Sequence, residues 1–260
     1  MLLTCLSLGL GACQDEEGNS KGLNLFSLQD DIDFGVQVST EIESDPNTYP
    51  ILDNAQYPDA YAHLHRITDN ILNSGKVQYR DEFVWQTKLI HDDSVLNAFC
   101  TPGGYIYVYT GLIKFLESED QLAGVMGHEI AHADERHSTE ALTKQYGTEV
   151  LFAILFGNDP GALAQIAKGM LSLQYSRTNE TESDMRSVEY LYETEYDARG
   201  VARFFEKLIA AGAGEGPEFL STHPNPSNRV EAIMDKWTEL GGKTGETFVD
   251  RYKDFKNSLP

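Results

Sequence analysis

The chain is poor in positive charge, poor in cysteine, and has no apolar run long enough to span a bilayer. Twenty Lys and Arg face forty-one Asp and Glu, a formal charge of −21. A surface so acidic repels phosphate backbones and anionic headgroups, which disfavours nucleic acid and an anionic lipid face as partners. The longest apolar stretch, Leu2 to Ala12, is eleven residues, about half of what a permanent span needs. It suits the core of a secretory leader, although the basic residues that open such leaders are missing, so the expectation is an unusual leader or a misassigned start. Val150 to Phe156 is shorter still and reads as a buried helical segment. Of three cysteines, Cys5 and Cys13 fall in or beside the leader, leaving Cys100 with no intramolecular disulfide partner. No internal repeat is present, and no low-complexity segment beyond a polar stretch after Cys13.

What is present begins with a processing signal. Leu10-Gly11-Ala12-Cys13 has the form of a lipobox, predicting cleavage before Cys13 and lipidation of its thiol. The expected organisation is residues 1–12 as lipoprotein signal peptide, 13–22 as a lipid-anchored polar tether and 23–260 as one catalytic domain. Helical periodicity covers Asp31 to Glu43, Tyr57 to Asn73, Glu119 to Ser138, Thr143 to Phe156, Ala162 to Gln174, Glu180 to Glu193, Val201 to Ala211 and Asn228 to Leu240. Phe83 to Ile90 and Tyr105 to Tyr109 read as strands, and Gly111 to Leu116 begins a short helix. Strands clustered in one block of a helical chain predict a mainly α-helical α+β fold with a small sheet packed on helices.

The chemistry lies in His128-Glu129-Ile130-Ala131-His132. On a helix the two imidazoles share a face with the carboxylate beside the first, the spacing for two ligands of one zinc ion and a general base. A catalytic zinc needs a third ligand and keeps a fourth position for water. His137 points away from His128 on a continued helix and reads as a packed histidine, as His63, His65 and His91 do. In Asn179-Glu180-Thr181-Glu182-Ser183-Asp184, Glu180 and Asp184 share a helical face while Glu182 turns away. Glu180 can thus supply the third ligand, and Asp184 can accept the ring N–H of a ligating histidine. Taken alone, the same stretch would be a solvated acidic helix face.

These residues carry a resemblance. Asn97 to Val108 is similar to the NAF–PGG strand motif of the HtpX-like and CAAX-prenyl-protease type of zinc metallopeptidases. His128 to His132 is similar to its HExxH, Asn179 to Asp184 to its NExEAD with Ser183 in place of Ala, and His223 to Arg229 to its late His-Pro motif. The chain lacks the membrane spans of some members and resembles the soluble, lipid-anchored branch of the BepA and LoiP type more than the membrane-embedded one. The resemblance implies a gluzincin-type fold, one zinc ion per chain held by His128, His132 and Glu180, and Glu129 as catalytic base. It also implies a location in the bacterial cell envelope, on the periplasmic or outer-membrane side, with misfolded or mis-assembled envelope proteins as substrates and envelope assembly machinery as a partner class. The acids after Cys13 resemble a surface-export tag, which extends the expected location to the cell surface.

In the expected reaction Glu129 takes the proton of an attacking water and passes it to the leaving amine. His223 is the candidate donor to the oxyanion, or a fourth ligand in a latched resting state, against a plain role in a Pro-rich turn. Arg229 reads as a scaffold residue paired with a carboxylate near the site. Gly104, Tyr105, Ile106 and Tyr107 are expected to bind unfolded or extended polypeptide. They lie on an edge strand beside the active-site helix, with Ile106 and Val108 facing the core and Tyr105, Tyr107 and Tyr109 facing out. The rival reading is a chaperone-like module that holds clients beside a zinc site capped by His223.

Overall fold

The computed structural model describes residues 24, 26–147, 149–151, 153, 160–170, 172–211, 218–223 and 228–260. The predicted leader, the tether and Cys13 lie outside these residues. The described helices are α1 (Leu28–Ser44), α2 (Pro58–Leu72), α3 (Thr110–Phe115), α4 (Glu119–Asp134), α5 (His137–Tyr146), α6 (Pro160–Met170), α7 (Arg177–Tyr192), α8 (Gly200–Ala210), α9 (Glu218–Thr222), α10 (Arg229–Glu239) and α11 (Val249–Asn257). Local chemistry sets several boundaries. Ser27 and Asp30 form a capping box on α1, and Pro58 opens α2, where a missing N–H costs nothing.

Three strands, β1 (Gln86–Ile90), β2 (Ala98–Thr101) and β3 (Tyr105–Tyr109), form one sheet in the order β1-β3-β2. β3 runs parallel to β1, with Thr87 opposite Ile106, and antiparallel to β2, with Cys100 opposite Ile106. The β2–β3 turn needs Gly103 and Gly104 at φ +75° and +90°, and a Cβ on Gly104 would come within 3.1 Å of Trp85 N.

This order corrects the expected edge strand. β3 is central, so the main chain of Tyr105 to Tyr107 is already paired with neighbours, and Gly104 O accepts from Gln86 N–H at 3.0 Å. The strand at the edge beside α4 is β2, whose sequence is too short and too mixed to announce itself. Nor do the tyrosines face solvent. All five residues of β3 are buried, Ile106 and Val108 in one core and Tyr105, Tyr107 and Tyr109 in a second that includes Phe34, Val38 and Ile42 of α1. Period-two alternation here separates two buried faces, because α1 covers the one that would otherwise be wet.

α4 is buried along its whole length. It crosses α8 where Gly124 and Gly200 allow near backbone contact: a Cβ on Gly124 would sit 2.2 Å from Val201 N. It crosses α7 at Gly127, where a Cβ would be 2.7 Å from Ser187 Oγ. The Ser187 hydroxyl itself donates to Gly124 O at 2.8 Å. The predicted single helix to Ser138 breaks instead at Arg136, in the left-handed region at φ +62°, and the chain turns into α5. The predicted Thr143 to Phe156 helix is interrupted at Gly147, φ +76°, and much of its remainder lies outside the described residues.

Candidate metal centre

The close α4–α7 crossing decides the geometry of the site. α4 presents His128, Glu129 and His132, α7 presents Glu180 and Asp184, and His223 follows α9. The start of α7 is held by a capping box in which Ser176 Oγ accepts from Asn179 N–H at 3.1 Å and Asn179 Oδ1 accepts from Ser176 N–H at 3.2 Å. Glu180 therefore enters the site from the first turn of a well-anchored helix.

Four donor atoms converge. His128 Nε2 is 3.0 Å from His132 Nε2 and 3.2 Å from His223 Nδ1. Glu180 Oε1 is 3.0 Å from His223 Nδ1 and 3.3 Å from His132 Nε2. Four donors placed tetrahedrally ~2.0–2.1 Å from zinc would lie ~3.3 Å from one another, the spacing seen here. His128, His132, Glu180 and His223 are all buried and form a group that can hold a metal ion.

The outer ring nitrogens support that reading. His128 Nδ1 is 3.0 Å from the Asp184 Oδ1 acceptor, which places the ring proton on Nδ1 and leaves Nε2 as a lone pair facing the centre. His132 Nδ1 is 3.0 Å from His137 Nδ1, and His137 Nε2 is 3.1 Å from Glu182 Oε2. With its proton donated to Glu182, His137 accepts from His132 Nδ1–H, and the inner nitrogen of His132 is again bare. Burial lowers the pKa of both His128 and His132, favouring the neutral form that binds metal. Burial alone would raise Glu180, but His223, His132 and His128 hold it well below the usual carboxylate range.

The arrangement also leaves polar atoms that only an ion or a reactant would satisfy. Both carboxylate oxygens of Glu129 are buried without a hydrogen-bond partner. His223 Nε2 is 3.5 Å from Glu129 Oε1. Burial pushes Glu129 up to about 7, against the opposing pull of His223. The ring nitrogens of His128, His132 and His223 and a carboxylate oxygen of Glu180 are the donor types zinc takes, so the residues fit a metal ion.

Arg229, also buried, closes the back of the site. Its Nε and Nη2 donate to Asp184 at 2.6 Å each, and its Nη1 lies 2.9 Å from Glu180 Oε2. Sequence reasoning missed Tyr175, whose ring stacks on His132 at 3.8 Å between centroids and whose hydroxyl is 3.0 Å from Ser138 Oγ. Tyr175 also walls off a cavity of about 520 Å³ reached by Lys144, Gln145 and Gln174. Phe219, stacked under His223 at 4.4 Å, was missed as well. Both are single aromatics with no telling spacing. His137 and Glu182 were set aside because each points away on an unbroken helix, and the Arg136 reversal brings the two together. Gly104, Tyr105, Ile106 and Tyr107 are not part of this cluster.

The profile described as Peptidase family M48 matches residues 58–237. The chain is 34% identical over 172 residues to the mitochondrial metalloendopeptidase OMA1 of Arabidopsis thaliana, covering 62% of this chain and 35% of that protein. It is 32% identical over 181 residues to the beta-barrel assembly-enhancing protease of Escherichia coli K12, covering 63% and 37%. It is 32% identical over 158 residues to OMA1 of Schizosaccharomyces pombe, covering 59% and 46%. The matched stretch thus spans between about a third and a half of these relatives' lengths.

Proposed function

The chain belongs to peptidase family M48, whose members are zinc metallopeptidases, and from that premise we propose that it is a zinc metalloendopeptidase acting on unfolded polypeptide. The convergence of His128, His132, Glu180 and His223 beside the unpartnered Glu129 carboxylate carries the reading. Zinc, when bound there, supplies the Lewis acidity that brings the pKa of water towards ~7 and polarises a scissile carbonyl.

The residues divide the remaining work. Glu129, desolvated and one position from a ligand, takes the proton of the attacking water and returns it to the leaving nitrogen. Asp184 fixes the tautomer of His128, and Arg229 holds Asp184 and Glu180 in place. β2 offers the substrate edge. Asn97 O accepts from Tyr109 N–H at 3.1 Å, so Asn97, Phe99 and Thr101 turn to β3 while Ala98 and Cys100 point main-chain groups towards the α4 side, the Ala98 N–H donating to Asn97 Oδ1 at 2.9 Å.

His223 occupies the position a reacting water would need, which supports a resting site latched by this histidine. Moved aside, it is our candidate donor for a developing oxyanion. The relative named a beta-barrel assembly-enhancing protease motivates envelope proteins awaiting assembly as substrates. Leu10 to Cys13 motivates a lipid anchor, tested by the mass of the mature N-terminus. Residues 23–260 form the proposed peptidase domain.

The deciding experiment compares casein cleavage and metal content in three variants. Glu129→Gln is expected to lose cleavage and keep stoichiometric zinc; retained cleavage removes Glu129 from the base role. Glu180→Ala is expected to lose the metal. His223→Ala is expected to keep metal and cleave faster than the parent if the latch limits the rate.

A further inference from the structure

Between the end of α4 and the start of α5 only two residues, Glu135 and Arg136, redirect the chain. Asp134 fixes the first side of this reversal, accepting from Gln78 N–H at 2.9 Å and Tyr79 N–H at 2.8 Å. Had the helix run on, His137 would stand about 140° around the axis from His132. Instead Arg136 takes φ +62°, a left-handed conformation in which a Cβ crowds the following carbonyl. That turn sets His137 Nδ1 at 3.0 Å from His132 Nδ1. A long side chain does not choose such a backbone on its own, so the turn is held from outside.

The hold comes from the start of α1, more than a hundred positions back in the chain. Arg136 Nε donates to Asp31 Oδ2, and Nη2 donates to Phe26 O at 2.5 Å and to Ser27 O at 3.0 Å. The Arg136 carbonyl is gripped as well. Asn24 Nδ2 donates to Thr139 Oγ1 at 2.9 Å, and that hydroxyl donates to Arg136 O at 3.1 Å. These partners are themselves anchored. Asp31 is buried, Phe26 lies in the second core with Leu142 of α5, and the Ser27–Asp30 capping box holds the first turn of α1.

We propose that residues 24–31 and Arg136 form a positioning clamp for the metal centre. The clamp keeps Arg136 in the left-handed turn, and the turn places His137 to accept from His132 Nδ1–H. The bare Nε2 of His132 is thereby aimed at the ion, the part that an outer hydrogen-bond partner plays for a ligating histidine. A brace for α5 alone could act anywhere along that helix. This one grips the residue next to His137, where rotation about one backbone bond swings the imidazole off His132. Arg136 acts through His137 and is a positioning residue. The inference rests on the metal centre described above and on no particular substrate.

The test measures zinc affinity of the full chain by competition with a chromophoric chelator. Arg136→Ala keeps the Cβ and loses the clamp, and is expected to bind zinc about tenfold more weakly. Arg136→Gly also loses the clamp but enters the left-handed turn freely, so it is expected to stay within about threefold of the parent. A loss as large in the glycine variant, or none in the alanine variant, overturns the proposal. In a His137→Phe background, which lacks the acceptor, adding Arg136→Ala is expected to weaken zinc no further; an undiminished step overturns the route through His137. Where the alanine variant does not fold, zinc-loaded wild type decides. Its long-range proton–nitrogen spectra are expected to show His137 bare at Nδ1, with a coupling across the hydrogen bond to His132 Nδ1. A His137 protonated at Nδ1 overturns the proposal. Zinc affinity that follows Arg136 in a chain that leaves casein uncut refutes the peptidase reading alone. Casein cleavage with zinc affinity indifferent to Arg136 refutes the clamp alone.

Discussion

Asp184 is pulled from two sides. One oxygen faces His128 Nδ1 at 3.0 Å, and the Arg229 guanidinium grips both oxygens at 2.6 Å. Asp184→Asn keeps the shape but removes the charge that fixes the imidazole tautomer and balances Arg229. Loss of such a partner typically weakens metal binding by about 10–100-fold, so competition against a chromophoric chelator should show a shift of that size. Unchanged affinity would mean that His128 is oriented by packing alone. The histidine pair and the Glu180/Asp184 pair were legible because each needs only helical spacing on one segment. The His132–His137–Glu182 chain was not, since it depends on a left-handed Arg136 that no local residue pattern demands.

Helices with clean apolar stripes or caps were legible within a few residues, as α1, α2, α7 and α8 show. α11 and β2 were not: α11 is nine mostly charged residues that bury only Tyr252 and Phe255, and β2 is four residues long. The order of the sheet was hidden for another reason, because pairing is a long-range choice that period-two alternation leaves open. The start of α8 shows how an element is tied down by charge. Buried Asp197 accepts from Arg199 N–H at 3.0 Å and from Arg199 Nη2 at 2.6 Å, with Arg203 Nη2 at 3.4 Å. Burial would raise this carboxyl, but the Arg199 bonds and the Arg203 charge bring it below its ordinary value. A folded pKa below the unfolded one gives stability that is full above about pH 4 and is lost as pH falls through the folded value. Asp197→Asn is therefore expected to cost about 1.5–3 kcal/mol at neutral pH. The cost should shrink towards zero as both proteins are acidified below about pH 4. Urea midpoints of the pair at each pH check it, and a difference independent of pH would show that geometry and not charge holds the α8 start.

For the whole molecule, the proposed ion would join three segments far apart in sequence: α4, α7 and the chain after α9. With one free thiol among the described residues and no disulfide there, such a link is the strongest cross-connection the donor set can provide. A surplus of acids, net −21, adds self-repulsion that a bound dication near the centre partly offsets. An ion that binds the folded chain alone stabilises it by RT ln(1 + [L]/Kd), about 4 kcal/mol at a thousandfold excess over Kd. For a chain of this size each kcal/mol moves Tm by roughly 2–4 °C, so chelation is expected to lower Tm by about 8–16 °C. The Glu180→Ala variant should melt at one temperature with or without chelator, since its donor set is broken. Differential scanning calorimetry of both proteins tests the claim with no substrate in the cell. A wild-type Tm indifferent to chelator would mean that the four side chains meet without an ion, and their lone pairs would then need protons in its place.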